Sequence, residues 1–194
     1  MSAQTDYLSP VQMLQILQVA RDQFGARAHA MFALAALHGL RSSEIANLLV
    51  ADVQHGKIDV RRAKNSLRTI QPLQAHENKL LDEPSILAAW LAERGDGNGS
   101  AFLFTSRQGE SLCRRQVYRL FESIAIRAGI PHGLRNPHQC KHFLASMLIR
   151  AGVSLAHVQQ TCGHKHISST VRYTHISQSE AAAKLTGVMQ TTFA

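Results

Sequence analysis

The chain has 194 residues, 45% of them hydrophobic, which suits one globular domain with a real core and excludes a globally disordered polymer. Lysine and arginine number 21 against 13 acidic residues, and the resulting +8 points to a polyanionic partner, nucleic acid ahead of an anionic membrane surface. Three cysteines (Cys113, Cys140, Cys162) without framework spacing argue against a disulfide scaffold and for a reducing compartment. The opening MSAQTDYLSP lacks the basic-then-apolar order of a secretion signal, and the run AHAMFALAALHGL at 28–40 is too short to span a bilayer. The expectation is a soluble, cytoplasmic protein.

In chain order, Ser9-Pro10 is a cap followed by proline, and it opens a helix through VQMLQILQVA. A second helix spans about 27–38 and stops at Gly39. Ser42 or Ser43 caps a third, EIANLL, with Glu44 in its first turn as a structural carboxylate that the helix dipole favours. KIDVRR and RTIQPL are β-type runs that predict a hairpin at about 57–73. Asp82 and Pro84 start a helix that runs through Trp90 and stops at RGDGNGS. AFLF is a short buried run, and a basic helix containing CRRQVYRLF follows over about 112–128. Three helices come last, at about 137–151, 154–162 and 168–184. The fold class is α+β, mainly helical, with one small antiparallel hairpin. A domain over 1–184 and a tail over 185–194 are expected.

The heptad NPHQCKH at 136–142 crowds cations at a helix start, with Asn136 as cap, Pro137 at the first helical position and Gln139 at capping-box spacing. At helical pitch His138, Lys141, His142 and Ala145 share an arc about 100° wide, opposite Phe143, Leu144, Met147 and Ala151 as the core side. Positive side chains at the positive helix end conflict, and an anion there would relieve them. A metal is the rival reading, through His138 and His142 or through Cys162, His164 and His166. Gln139 stands where a zinc protease needs its general-base glutamate, Lys141 repels a divalent cation, and no C-x-x-C pair is present. No metal or cofactor is expected.

The cluster has company in the sequence. LHGLRSSEIANLLVADV precedes it, then the hairpin with Lys64 and RTIQPL, and CGHKHISSTVRYTH follows, with His164 nine residues before Tyr173. This ordered series, from about residue 25 to 180, resembles the tyrosine recombinases of the phage-integrase family. The resemblance implies a mixed, mainly helical catalytic domain that breaks a phosphodiester without metal. It implies that Tyr173 is the nucleophile and forms a covalent phosphotyrosine. Arg41 would hold a non-bridging oxygen, Lys64 would protonate the leaving oxygen, His138 would accept or shuttle the tyrosine proton, and His164 would donate to a phosphate oxygen. The length leaves no room for the N-terminal helical domain of many relatives, so the chain reads either as a catalytic domain alone or as a short protein similar to the fimbrial phase-variation recombinases.

The family box carries arginine where this chain has Lys141. Lysine keeps the charge and loses the bidentate fork, and loss of a well-placed oxyanion donor costs about 10²–10³ in rate. Two readings stay open: an integrase- or invertase-type enzyme slowed at Lys141, and a catalytically impaired DNA-binding member that acts as architecture or regulator. Relaxation of supercoiled DNA, as by a type IB topoisomerase, is a third. The implied partner is double-stranded DNA, bound by a homotetramer of protomers that are monomeric in solution, with accessory DNA-bending proteins and no membrane. Arg61, Arg62 and Arg68, with Lys165, would track phosphates. Arg114 and Arg115 are the candidates for base contacts in the major groove.

Overall fold

Seven α-helices, three single-turn 3₁₀ helices and one hairpin account for the regular structure among the described residues of a computed structural model, which are 7–62, 66–106, 108–171 and 173. Helix α1 is Pro10–His38, α2 Ser42–Ala46, α3 Glu83–Arg94, α4 Arg114–Arg127, α5 His138–Arg150, α6 Leu155–Cys162 and α7 Ser168–Val171. Strands β1 (Lys57–Val60) and β2 (Thr69–Pro72) pair antiparallel with Lys57 opposite Pro72 and Val60 opposite Thr69, as the hairpin expectation required. The expected final helix beyond Val171, the tail over 185–194 and Lys64 lie outside the described residues.

The start of α1 follows its sequence closely. The Ser9 hydroxyl accepts from the Gln12 amide at 3.2 Å, while the Gln12 side-chain oxygen accepts from the Ser9 amide at 2.9 Å, a reciprocal cap. Gly25, at φ 84° and ψ 179°, breaks the helical path inside α1, so the two helices expected from the pattern meet end to end. The second of them is buried on nearly every side, from Ala28 to Ala36, and it forms the axis of the molecule. Helices α3, α4 and α5 pack around it, with Phe32 against Phe121 edge-to-face at 5.1 Å between centroids. Within AFLF only Leu103 and Phe104 are buried, Ala101 being exposed and Phe102 half-buried, and the run does not form a strand: the Leu103 amide donates to the Leu48 carbonyl at 2.7 Å, and Leu49 bridges to Phe102. A smaller apolar cluster of Leu144, Ala145, Val158, Cys162 and Tyr173 joins α5 to α6 and to Tyr173 beyond α7.

Two expectations about helices are corrected. Helix α2 begins at Ser42 with Arg41 as its cap residue, because the Glu44 carboxylate reaches back to accept the Arg41 amide at 2.9 Å. Helix α5 is not amphipathic in the expected sense. Lys141 is 1% exposed and Ala145 fully buried, while Met147 and Ala151 of the supposed core side are exposed. The cause is that α5 is wedged between α1 and α6, so partners cover two of its sides and no single polar arc is left to solvent.

Candidate active site

Arg41 sits at the junction of α1 and α2, where Gly39 ends α1 in the left-handed conformation (φ 60°) and turns the chain. Its Nη1 donates to Glu44 Oε1 at 2.9 Å and to Ser66 Oγ at 2.8 Å. These two acceptors fix the guanidinium while the side chain stays about a third exposed. Arg41 lines a cleft of about 710 Å³ together with Ser42, Ser43, Arg114, Tyr118 and His138. Two guanidinium cations (Arg41, Arg114) and four hydroxyl or ring donors (Ser42, Ser43, Tyr118, His138) converge there, the chemistry of an oxyanion site.

His138 and His142, one turn apart on α5, meet edge-to-face with ring centroids 4.5 Å apart. Nδ1 of His142 lies 2.7 Å from the hydroxyl of Tyr173. Tyr7, from the segment ahead of α1, stacks on His142 and leans on Tyr173, both at 5.5 Å. Tyr173 itself is 9% exposed. His164 follows the left-handed Gly163 (φ 63°) that ends α6, and its Nδ1 pairs with Thr170 Oγ1 at 2.9 Å. Ser66 bridges to His164, so the residue that holds Arg41 is also tied to the turn that carries His164.

Beneath this surface lies a buried polar layer. Arg62, its side chain fully buried, donates to the carbonyls of Gly39 (3.0 Å), His38 (2.8 Å) and Thr161 (3.2 Å) and to Glu44 (3.2 Å). The expectation that Arg62 tracks DNA is therefore corrected: its guanidinium is enclosed by protein acceptors. Burial lowers its pKa, and the neighbouring Glu44 carboxylate opposes that shift. Lys141 points into the same layer. Its Nζ donates to the Cys162 carbonyl at 2.5 Å. Burial, reinforced by Arg41 and Arg62, pushes its pKa down to about 8. Burial likewise raises the Cys162 thiol, and takes Cys140 up to about 12.

The other basic candidates behave differently from Arg62. Arg61 and Arg68 are exposed and pair with Asp52 and Asp59, and Arg114, Arg115 and Lys165 are exposed. His142 is the residue that sequence reasoning left without a role. The fifth position of the family box was the available signal, and helical pitch had already set it beside His138. Gln71 was also missed: its Nε2 donates to the Thr161 carbonyl at 2.7 Å, a contact between positions 90 apart in sequence that no local pattern reveals. Among the described residues no group of three or more metal-ligating side chains is found.

A tyrosine hydroxyl paired to an imidazole and a fixed arginine in a basic cleft are the side-chain types that phosphoryl transfer to a tyrosine requires. The family model described as the phage integrase family matches residues 6–180. The chain belongs to that family, the tyrosine recombinases. It is 33% identical over 174 residues to the type 1 fimbriae regulatory protein FimE of Escherichia coli, covering 87% of this chain and 84% of that one. It is 33% identical to the tyrosine recombinase XerD of Agrobacterium fabrum over 77% of this chain, and spans about half (49%) of that longer protein. Among solved structures the XerA recombinase matches 93% of this chain and 64% of its own, with a TM-score of 0.74 at 25% identity. The lambda integrase catalytic core, at 20% identity, shares the fold with a TM-score of 0.63 over 82% of this chain and 95% of its own.

Proposed function

We propose that the chain is a site-specific recombinase that cuts and rejoins double-stranded DNA through a 3′-phosphotyrosine link. One observation carries the reading: the 2.7 Å pairing of Tyr173 with His142, whose ring meets that of His138, a residue lining the same cleft as Arg41. The Tyr173 oxygen attacks the scissile phosphorus as its proton passes to an imidazole, and the bond from phosphorus to the 5′ oxygen breaks. That oxygen takes a proton from an acid, the role proposed for Lys64. Arg41 and His164 stabilise the charge on the non-bridging oxygens, with the charge of Lys141 behind them. Rejoining is the same step reversed, so no cofactor is consumed.

Exposed Arg61, Arg68, Arg114, Arg115 and Lys165 are proposed to meet the duplex. Lambda integrase is known as a tetramer bound to a Holliday junction. Four protomers on DNA, monomers in solution and exchange of the 185–194 tail between protomers are proposed here on that analogy. So are a cytoplasmic, nucleoid-bound setting, help from DNA-bending proteins and a place on a mobile element. No helix among the described residues is long and apolar enough to cross a membrane.

The second reading, a DNA-binding member with crippled strand transfer, is favoured by the inward turn of the Lys141 ammonium toward the Cys162 carbonyl. Covalent trapping separates the two. Nicked duplexes covering the DNA beside the gene are mixed with the protein and quenched in detergent. An adduct that Tyr173→Phe abolishes supports the enzyme. Adduct from Lys141→Arg alone supports the DNA-binding reading, and adduct that survives Tyr173→Phe overturns the assignment of Tyr173 as nucleophile.

A further inference from the structure

We propose that Lys141 is a positioning residue that ties the turn ahead of Arg41 to the turn ahead of His164. The site needs Arg41 and His164 in a fixed relation, yet they stand on separate turns, after α1 and after α6. The Lys141 side chain occupies the space between those turns. Its stem packs on the first: a Cβ added at Gly39 would lie 3.6 Å from Lys141 Cγ and 3.2 Å from Leu144 Cδ2. Its ammonium ends on the second, 2.5 Å from the Cys162 carbonyl at the C-terminus of α6. The last carbonyls of a helix lack intrahelical donors and carry the negative end of its dipole, so a buried cation is well matched there.

The neighbouring bonds extend the same tie. Arg62 and Gln71 both donate to the Thr161 carbonyl, so three donors from α5, β2 and the segment after β1 converge on one helix end. Gly163 then presses on the chain after Lys64: a Cβ there would lie 2.8 Å from the Leu67 carbonyl. The Leu67 amide donates to the Gly163 carbonyl at 3.1 Å, and Ser66, which accepts from Arg41, bridges to His164. Removing the ammonium loosens α6's end, then the 66–67 segment, then both Arg41 and His164. An ammonium 1% exposed and bonded to a carbonyl fits this task better than direct contact with a phosphate in the cleft.

The catalytic consequence rests on the strand-transfer reading, but the test needs no DNA and judges the positioning role by itself. The full chain is labelled with ¹⁵N and compared with Lys141→Met, which keeps the stem and removes the charge, and with Lys141→Arg, which keeps a donor. In Lys141→Met the Leu67 amide is expected to exchange with solvent on the order of tenfold faster, and the His164 imidazole signals to move, while amides of α1 keep their protection. Lys141→Arg is expected to restore much of that protection. Unchanged Leu67 exchange and an unchanged His164 signal in Lys141→Met overturn the proposal. If Lys141→Met loses its core protection as well, the unaltered protein decides. At about pH 6 the Lys141 ammonium protons exchange slowly if they are bonded to Cys162, and exchange at the rate of a free lysine overturns the proposal.

Discussion

The hydroxyl of Tyr173 and Nδ1 of His142 are 2.7 Å apart, and a weak nucleophile needs an acceptor at that range. His142→Gln keeps the volume and polarity of the side chain but cannot take a proton at neutral pH. Adduct formation in single-turnover trapping should slow by about 10²–10⁴, the usual worth of a positioned base. His138→Gln, acting from the other side of the ring pair, should slow it less. Lys141 gives a second expectation at this scale, in stability rather than rate. Its pKa falls from 10.5 to about 8 on folding, so between those values the unfolded chain binds more protons than the folded one. Stability therefore rises with pH through that window, and the cost of burying the ammonium is fully felt below it. Urea unfolding at about pH 7 and about pH 9.5 should show the wild type gaining about 2 kcal/mol relative to Lys141→Met. The two buried cysteines, which titrate in the opposite sense, largely cancel in that comparison.

At the scale of elements, the helix ends set the site, and glycines and buried polar pairs hold them. Gly163 adopts φ 63° with the Leu67 carbonyl in the way of any Cβ, so Gly163→Ala must both strain the backbone and push the 66–67 segment off. A loss of about 1–3 kcal/mol in denaturant unfolding is expected, with a fall in adduct formation larger than the lost stability explains. His38, at the end of α1, bonds Glu83 of α3 at 2.8 Å through Nε2 and Gln71 of β2 at 2.6 Å through Nδ1, all but sealed from solvent. His38→Leu leaves the Glu83 carboxylate buried without that partner and should cost about 3–5 kcal/mol. The sequence was readable where the cause is local. Ser9, Pro10 and Gln12 announce the start of α1, Gly39 its end, and the alternation in KIDV and the turn residues announce the hairpin. It was not readable where the cause is tertiary. Periodicity put Lys141 on an open arc, but the faces of α5 are decided by α1 and α6 packing on either side. Arg62 reads as one more surface charge until Glu44 and the three carbonyls that enclose it are known, and those lie between 18 and 99 positions away. Arg41, His138, His164 and Tyr173 became candidates through an ordered family pattern, whereas His142 needed the geometry.

At the scale of the whole molecule, the +8 charge divides into a buried and an exposed share, and the two have different work. Arg62 and Lys141 neutralise Glu44 and cap α6 from inside. Arg114, Arg115 and Lys165 are exposed, and Arg61 and Arg68 lean on Asp52 and Asp59 at the surface. Only the exposed share can displace counterions from a duplex, so only it should set the salt dependence of binding. Arg115→Ala and Arg62→Met remove the same formal charge and so distinguish the two shares. Arg115→Ala should leave unfolding within about 0.5 kcal/mol of wild type. Its slope of log affinity against log salt, read by anisotropy of a labelled duplex, should become shallower by about one. Arg62→Met should leave that slope unchanged in the fraction that remains folded, and lower stability by about 3–5 kcal/mol because Glu44 and three carbonyls lose their partner. A slope that changes with Arg62→Met and not with Arg115→Ala would mean that the duplex is met by a surface other than the one carrying α4.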